Sequence, residues 1–175
     1  MANAIPGWMW PEELNWLYSF FAKSRRHVEI GTYCGRSLLM TCAGFKQRCN
    51  VIAVDDFSIA DATPNWTKAV CQATIRLINN NTKAKVTLVE RSSVEAARAF
   101  TGQKLDSVFI DGNHARNYVH RDIELWTPLV RPGGIIAGHD YWPQNPGVMD
   151  AVNETGPFVV APETRIWCRT VQSAG

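Results

Sequence analysis

Five places in this 175-residue chain carry side chains whose type and spacing could do chemistry, each close to the end of a short apolar run. The first is VEIGTYCGRS at 28–37, an acid inside the run, a glycine turn and a hydroxyl. Asp55–Asp56 and Ser92–Ser93 follow, then Asp111 with His114 three residues on, then His139–Asp140. The turn reads Glu29-x-Gly31-x-x-x-Gly35 and not G-x-G-x-x-G. In the dinucleotide fingerprint the middle glycine lets backbone approach a pyrophosphate at a helix N-terminus. Here Tyr33 stands in that place and offers a wall. Such a turn suits a ligand without phosphates, such as the amino-acid end of S-adenosylmethionine. The ligand carboxylate would use the free N–H groups of the helix start and the Ser37 hydroxyl, and Glu29 would help hold its cationic end. Asp55, after the next apolar run, is placed to accept hydrogen bonds from ribose hydroxyls, with Asp56 as the alternative. Ser92 and Ser93 are placed to meet the adenine edge.

On the reacting side, Asp111, His139 and Asp140 form a facial set of donors for a divalent cation, which would acidify and clamp a bound hydroxyl. His114 is then the base, since an ordinary imidazole pKa of about 6.5 suits work near neutral pH. Two carboxylates and an imidazole favour Mn²⁺, Fe²⁺ or Zn²⁺ over Mg²⁺, or no metal at all. Plainer roles stand beside these. Glu29, Ser92, Ser93 and Asp111 are residue types that also cap helices, Asp55 also begins a loop, and His114 could bond a neighbouring loop. His120 reads as a solvated helix residue. Trp8, Trp10, Trp66 and Trp142 serve either substrate contact or lid packing, and Tyr141, Trp142 and Pro143 could wall an acceptor pocket.

The elements that must position these groups alternate along the chain. A helix starts at Pro11 and carries Leu14, Leu17, Tyr18 and Phe21 on one face. Strands are expected at about 26–30, 51–56, 85–89, 107–111 and 135–140. Between them fall helices at about 35–46, one faced by Trp66, Val70, Ala73 and Leu77, one at 93–100, and one lined by Val119, Ile123, Trp126 and Val130. The last of these is stopped by Arg131-Pro132-Gly133-Gly134. A short helix near 147–154 and a hairpin pairing 157–161 with 165–171 complete the reading. Compact apolar strands alternating with helices indicate a parallel sheet covered on both faces. Ligands bind at the carboxyl ends of such strands, so the five polar sites should converge on one crevice.

Composition sets the class. Net charge is +2, with 46% hydrophobic and 19% charged residues, and no basic run marks a nucleic-acid surface. No apolar run approaches a membrane span, and the N-terminus lacks the pattern of a signal peptide. Five cysteines without a C-x-x-C pair read as free thiols of a reducing compartment, so a cytoplasmic protein is expected. Three N-x-T triplets, at Asn65, Asn80 and Asn153, are read as chance.

VEIGTYCGRS resembles the first motif of class I S-adenosylmethionine-dependent methyltransferases, especially the branch that methylates catechols and macrolide sugars with a metal ion. The likeness continues through VIAVDD, VTLVERSSVE, VFIDGNH and LVRPGGIIAGHD. It implies a three-layer Rossmann-like α/β fold with a mostly parallel seven-stranded sheet whose last strand is antiparallel. It also implies an acid after the fourth strand, a basic residue three positions on and a polar pair after the fifth. Two positions depart from the pattern. Arg91 stands where relatives commonly carry glycine, and His139 where they more often carry a carboxylate.

Residues 1–175 are therefore read as a single S-adenosylmethionine-dependent methyltransferase domain acting on a hydroxyl of a small molecule or sugar. The expected cofactor contacts are Glu29, Gly31, Tyr33, Gly35, Ser37, Asp55, Ser92, Ser93 and Asp111. His114 and Asp111 are the catalytic pair. Asp111, His139 and Asp140 would hold a divalent cation, Mg²⁺ or Mn²⁺. No nucleic acid or membrane is expected as a partner, and an acceptor site with so little inserted sequence is either open or completed by another subunit. The rivals are a metal-independent O- or N-methyltransferase and a module that binds the cofactor without turnover.

Overall fold

The computed structural model describes residues 4–58 and 64–173. Seven strands form one sheet: β1 Arg26–Ile30, β2 Cys49–Val54, β3 Ala84–Val89, β4 Leu105–Ile110, β5 Val130–Gly138, β6 Val159–Val160 and β7 Trp167–Thr170. Their order is β3-β2-β1-β4-β5-β7-β6. The first five strands are mutually parallel, and β7 runs antiparallel to both β5 and β6. Six helices pack on it: α1 Pro11–Phe20, α2 Arg36–Gly44, α3 Pro64–Asn81, α4 Ser93–Ala99, α5 Arg116–Trp126 and α6 Pro146–Glu154. This is the mostly parallel seven-stranded α/β sheet that the motifs imply. No helix among the described residues is long and apolar enough to cross a membrane.

The two faces of the sheet bury separate apolar layers. Leu14 and Leu17 of α1, Leu38 and Cys42 of α2 and Cys71 and Ile78 of α3 pack with Val51 and Phe109 on one face. Val119, Ile123 and Trp126 of α5 and Val148 and Ala151 of α6 pack with Val28, Ile30, Val108 and Ile110 on the other. Alternation along a strand sorts the residues, so Val108 and Phe109 point to opposite layers. All five cysteines are free and buried.

Three expectations shift. The inward face of α3 is Thr67, Cys71, Thr74, Ile75 and Ile78, while Trp66 is 51% exposed and Ala73 is exposed. The stripe through Trp66 is wrong because small residues of mixed polarity carry this face and a large exposed aromatic outweighs them in a periodicity count. Tyr18 is exposed although it lies on the predicted stripe of α1. Val130 is not on a helix. The helix ends at Trp126, a single 3₁₀ turn spans Thr127–Leu129, and Val130 opens β5. The Pro-Gly-Gly segment lies inside that strand, where its pairing with β4 shifts register between Leu105 and Ser107.

At the opposite end of β1 from the acids, His27 is fully buried beneath Phe21, with ring centroids 4.8 Å apart. Its Nδ1 lies 2.8 Å from Ser107 Oγ, and its Nε2 has no partner. Burial pushes its pKa down to about 3 from an ordinary 6.5. Between those values the unfolded chain binds a proton that the folded chain refuses, so stability falls as pH falls, by at most about 1.4 kcal/mol per pH unit from this group. Urea unfolding from pH 7 to pH 4 should therefore show a shallower loss in His27→Gln than in the wild type. Parallel pH curves would show that His27 protonates without penalty.

Candidate functional site

Strand register brings the polar positions together. Ile30 pairs with Val54 and with Ile110, and Ile110 pairs with Gly138. The ladder continues one step past the strands: Gly31 N donates to Val54 O, Asp111 N to Ile30 O and His139 N to Ile110 O. Gly31, Asp55, Asp111 and His139 are thus each the first residue past their strand, at one level of the sheet. They line a cavity of about 830 Å³ together with Tyr33, Ser37, Asp56, Ser92, Ser93, His114 and Asp140.

The turn after β1 is held by backbone constraints. Gly31 has φ +79°, and a Cβ there would lie 2.0 Å from the Asp111 carbonyl oxygen. The glycine is needed because the β1 and β4 loops touch. Gly35 (φ 86°) caps α2, and Tyr33 sits at φ 48°. Tyr33 N donates to Asp55 Oδ2 at 2.7 Å, and Phe57 N to Asp55 Oδ1 at 2.7 Å. Asp55 therefore ties the first turn to the second while its remaining lone pairs stay available at the cavity. Asp56 bonds its own turn, through the N–H and Oγ of Ser58.

Glu29 lies one residue deeper, fully buried, and does not line the cavity. Ser37 Oγ lies 2.8 Å from its Oε1, and Oε2 has no partner. Burial, opposed by Ser37, pushes its pKa up to about 8. A protonated Glu29 can donate to Ser37 and leave the Ser37 O–H free to face the cavity. Ser92 caps α4 in a reciprocal box with Glu95, and Ser93 Oγ accepts from Trp126 Nε1 at 2.8 Å. Both serines thus have structural duties as well as a place on the wall.

The reacting side is a dense charge cluster. His114 Nε2 lies 3.0 Å from Asp140 Oδ2. His139 Nδ1 lies 3.2 Å from Asp140 Oδ2 and 3.4 Å from Asp111 Oδ1. One donor atom each from Asp111, His139 and Asp140 can be chosen within 4.8 Å of one another. Asp140 sits at φ 60°, in the left-handed region that Asp enters more readily than most non-glycine residues.

Two members escaped the sequence reading. Glu13, in the first turn of α1, is fully buried. Its carboxylate accepts from Trp10 N, Arg165 N, Arg165 Nε and Arg165 Nη2, at 2.8–3.0 Å. His139 Nε2 stands 2.9 Å from Glu13 Oε2, off the line of a straight hydrogen bond. Arg165 Nη1 is 3.6 Å from Asp140 Oδ1, and the guanidinium lies 4.2 Å over the Trp10 ring. The signal for Glu13 was its place beside Leu14 and four residues before Leu17, on the buried side of α1. Nothing local marked Arg165.

Burial alone would lower the His139 pKa, but Asp111, Asp140 and Glu13 raise it to about 11. Burial would raise Glu13, yet His139 and Arg165 hold it at about 2. Asp140, against the same penalty, is kept well below the usual carboxylate range by His114 and His139. Burial pushes Asp111 up. The hydrogen bond to Asp140 raises His114, with burial opposing. His120 sits apart on α5, with Nδ1 3.4 Å from Glu124. Trp8 is 70% exposed and packs at a tilt against Tyr33 with centroids 5.0 Å apart, and Trp10 meets Trp142 edge-on at 5.7 Å. Trp66 does not line the cavity.

Residues 28–141 match the family model described as a methyltransferase domain. Uncharacterized protein R132 of Acanthamoeba polyphaga mimivirus is 32% identical over 134 residues. The match takes in 73% of this chain, which spans 58% of the length of that curated relative. Among solved structures, the fold is similar to the O-methyltransferase from Bacillus cereus in complex with S-adenosylhomocysteine, with TM-score 0.68 and 18% identity over 98% of this chain and 86% of that one. It is also similar to the O-methyltransferase TomG from Streptomyces achromogenes in complex with S-adenosylmethionine. That match has TM-score 0.71 and 13% identity over 95% of this chain and 82% of that one.

Removing Glu13 would leave the mostly buried Arg165 without its bidentate partner and His139 without one of its three carboxylates. Glu13→Ala should cost about 3–5 kcal/mol in urea unfolding at pH 7. With Glu13 depressed from 4.5 to about 2, its contribution is present above the unfolded value and is lost as pH falls through that window. The stability curves of wild type and Glu13→Gln should therefore converge between pH 4.5 and 2. A Glu13→Ala protein as stable as the wild type would show the cluster to be idle.

Proposed function

The chain belongs to the methyltransferase-domain family, and we propose that it transfers a methyl group from S-adenosylmethionine to a hydroxyl oxygen of a small molecule or sugar. The observation that carries this reading is one cavity with the Gly31–Ser37 turn on one wall and the His114–Asp140 pair on another. The turn offers the N–H groups of the α2 start and the Ser37 hydroxyl to an amino-acid end. Asp55 supplies acceptors for a ribose, and Ser92 and Ser93 flank the place for a base. Tyr33 leaves no glycine for a pyrophosphate to approach.

The chemistry asked of the protein is positioning and removal of one proton. The methyl carbon leaves the sulfonium sulfur, which keeps the bonding electrons, and the acceptor oxygen forms the new bond with a lone pair. Its proton passes to His114. Because Nε2 of His114 faces Asp140, Nδ1 is the nitrogen able to take that proton. Asp140 fixes the ring and raises its basicity. Holding donor and acceptor in line supplies the rest of the acceleration. A module that binds without turnover is the rival from another class, and the paired base beside the cavity favours turnover. The five buried free thiols support the reading of a protein of a reducing, cytoplasmic compartment.

A divalent cation would draw on Asp111, His139 and Asp140, and these donors do not offer it an open seat. Each nitrogen of His139 is turned on a carboxylate, and Asp140 is shared among His114, His139 and Arg165. A metal needs the nitrogen lone pair that such surroundings keep protonated. No step above runs through a metal.

Calorimetry should show S-adenosylhomocysteine binding in the micromolar range, about −8 kcal/mol, and NAD far weaker. Tighter NAD binding would overturn the donor assignment. Asp55→Ala should weaken S-adenosylhomocysteine by roughly 1–3 kcal/mol and Asp56→Ala by much less. The reverse order would move the ribose contact to Asp56. With an acceptor found by screening catechols and sugars, His114→Ala should lower the rate at neutral pH by about 10²–10⁴ while leaving donor affinity unchanged. An unchanged rate would remove His114 from the mechanism.

A further inference from the structure

We propose that Arg165, fixed by Glu13, is the built-in cation of the acceptor side, standing where a divalent ion would otherwise balance Asp111 and Asp140, and that this makes the site metal-independent. The inference rests on the methyl-transfer reading above and assigns positioning roles to two residues that the motifs do not mark.

The geometry of the guanidinium is the first argument. Nε and Nη2 make parallel bonds to the two oxygens of Glu13, each 2.9 Å, a fork-to-fork pairing that fixes the plane as well as the position. Nη2 also reaches the Trp8 carbonyl at 3.2 Å, and one face of the group is covered by Trp10. What remains is Nη1, 3.6 Å from Asp140 Oδ1. The side chain is 12% exposed and lines the cavity. A guanidinium gripped on two edges and one face cannot swing aside to admit an ion. It also cannot lose its charge, since arginine stays protonated in proteins.

The charge balance is the second argument. Glu13, Asp111 and Asp140 bring three carboxylates to the cluster, and Arg165 supplies a permanent positive charge next to two of them. Metal sites of this kind need carboxylate oxygens free to close to about 2.0–2.6 Å around the ion. Here Asp140 is already approached by His114, His139 and Arg165, and a divalent ion on it would face the guanidinium. Through Asp140, the guanidinium fixes the carboxylate that orients His114. Its charge also stabilises the negative charge that grows on the acceptor oxygen as the proton leaves.

The test is Mn²⁺ titration of the purified protein, read by loss of the free-ion spin-resonance signal, with S-adenosylhomocysteine calorimetry on the same samples. The wild type should take up no stoichiometric Mn²⁺, with or without S-adenosylhomocysteine, and should keep its full turnover of the screened acceptor under saturating chelator. Arg165→Met keeps an unbranched stem over Trp10 and deletes the charge. It should bind Mn²⁺ roughly tenfold or more tighter than the wild type, because three carboxylates then lack their fixed cation. Arg165→Gln, which keeps a donor for Glu13 and also deletes the charge, should show the same gain and serves if the methionine variant does not fold. One Mn²⁺ per wild-type chain, or turnover lost on chelation, overturns the proposal. So does Mn²⁺ binding that is the same in wild type and Arg165→Met. Donor binding that persists in any of these cases leaves the methyl-transfer reading standing. Failure of S-adenosylhomocysteine to bind would count against that reading instead.

Discussion

Parallel pairing in register is the constraint on which the site depends. Because Ile30 is opposite both Val54 and Ile110, and Ile110 is opposite Gly138, four loops leave the sheet at one level. The hydrogen-bond ladder does not stop there. It runs one residue further through Gly31, Asp111 and His139, so the first residue of each loop inherits the rigidity of the strand. Side chains on such positions are placed by backbone geometry before any contact of their own is made. The closeness has a steric consequence, which is that Gly31 must lack a Cβ where it meets the Asp111 carbonyl.

Upon this frame the chain assembles groups that water would otherwise screen. Glu13 and Arg165 are separated by 152 positions, and each would be costly to bury alone. Together they close the side of the crevice that α1 shares with the loop before β7, and His139 and Asp140 complete the set. The left-handed backbone of Asp140 is tolerated because its carboxylate gains His114, His139 and Arg165 as partners. The opposite wall is built differently. Around Asp55 the partners are backbone N–H groups, which shape a turn and leave acceptor capacity for a neutral ligand. The crevice thus has one wall set by backbone hydrogen bonds to a carboxylate and another set by a cluster of paired charges.

The alternation of short apolar strands and amphipathic helices was legible because the central strands β1 and β4 are buried on both faces and the helices on one. So were the polar strand ends, each within two residues of its place, since an apolar run must stop where the sheet meets solvent. The face of α3 was misread because Thr67, Cys71 and Thr74 carry the buried side and Trp66 does not. The end of α5 was misread because Val130 keeps helical spacing although Pro128 has already broken the helix.

The sequence by itself determined the class of fold, the crevice, and the presence there of Asp55, Asp111, His114, His139 and Asp140. These follow from local properties, namely periodicity, residue type and the glycine turn. Only the tertiary structure decided what those groups do to one another. It buried Glu29 a step below the cavity, gave Ser92 and Ser93 work in capping α4 and holding Trp126, and set His139 between carboxylates. It also brought Glu13 and Arg165 into the cluster. Charge interactions depend on distance and burial, and neither is encoded in the spacing of residues from different ends of a chain.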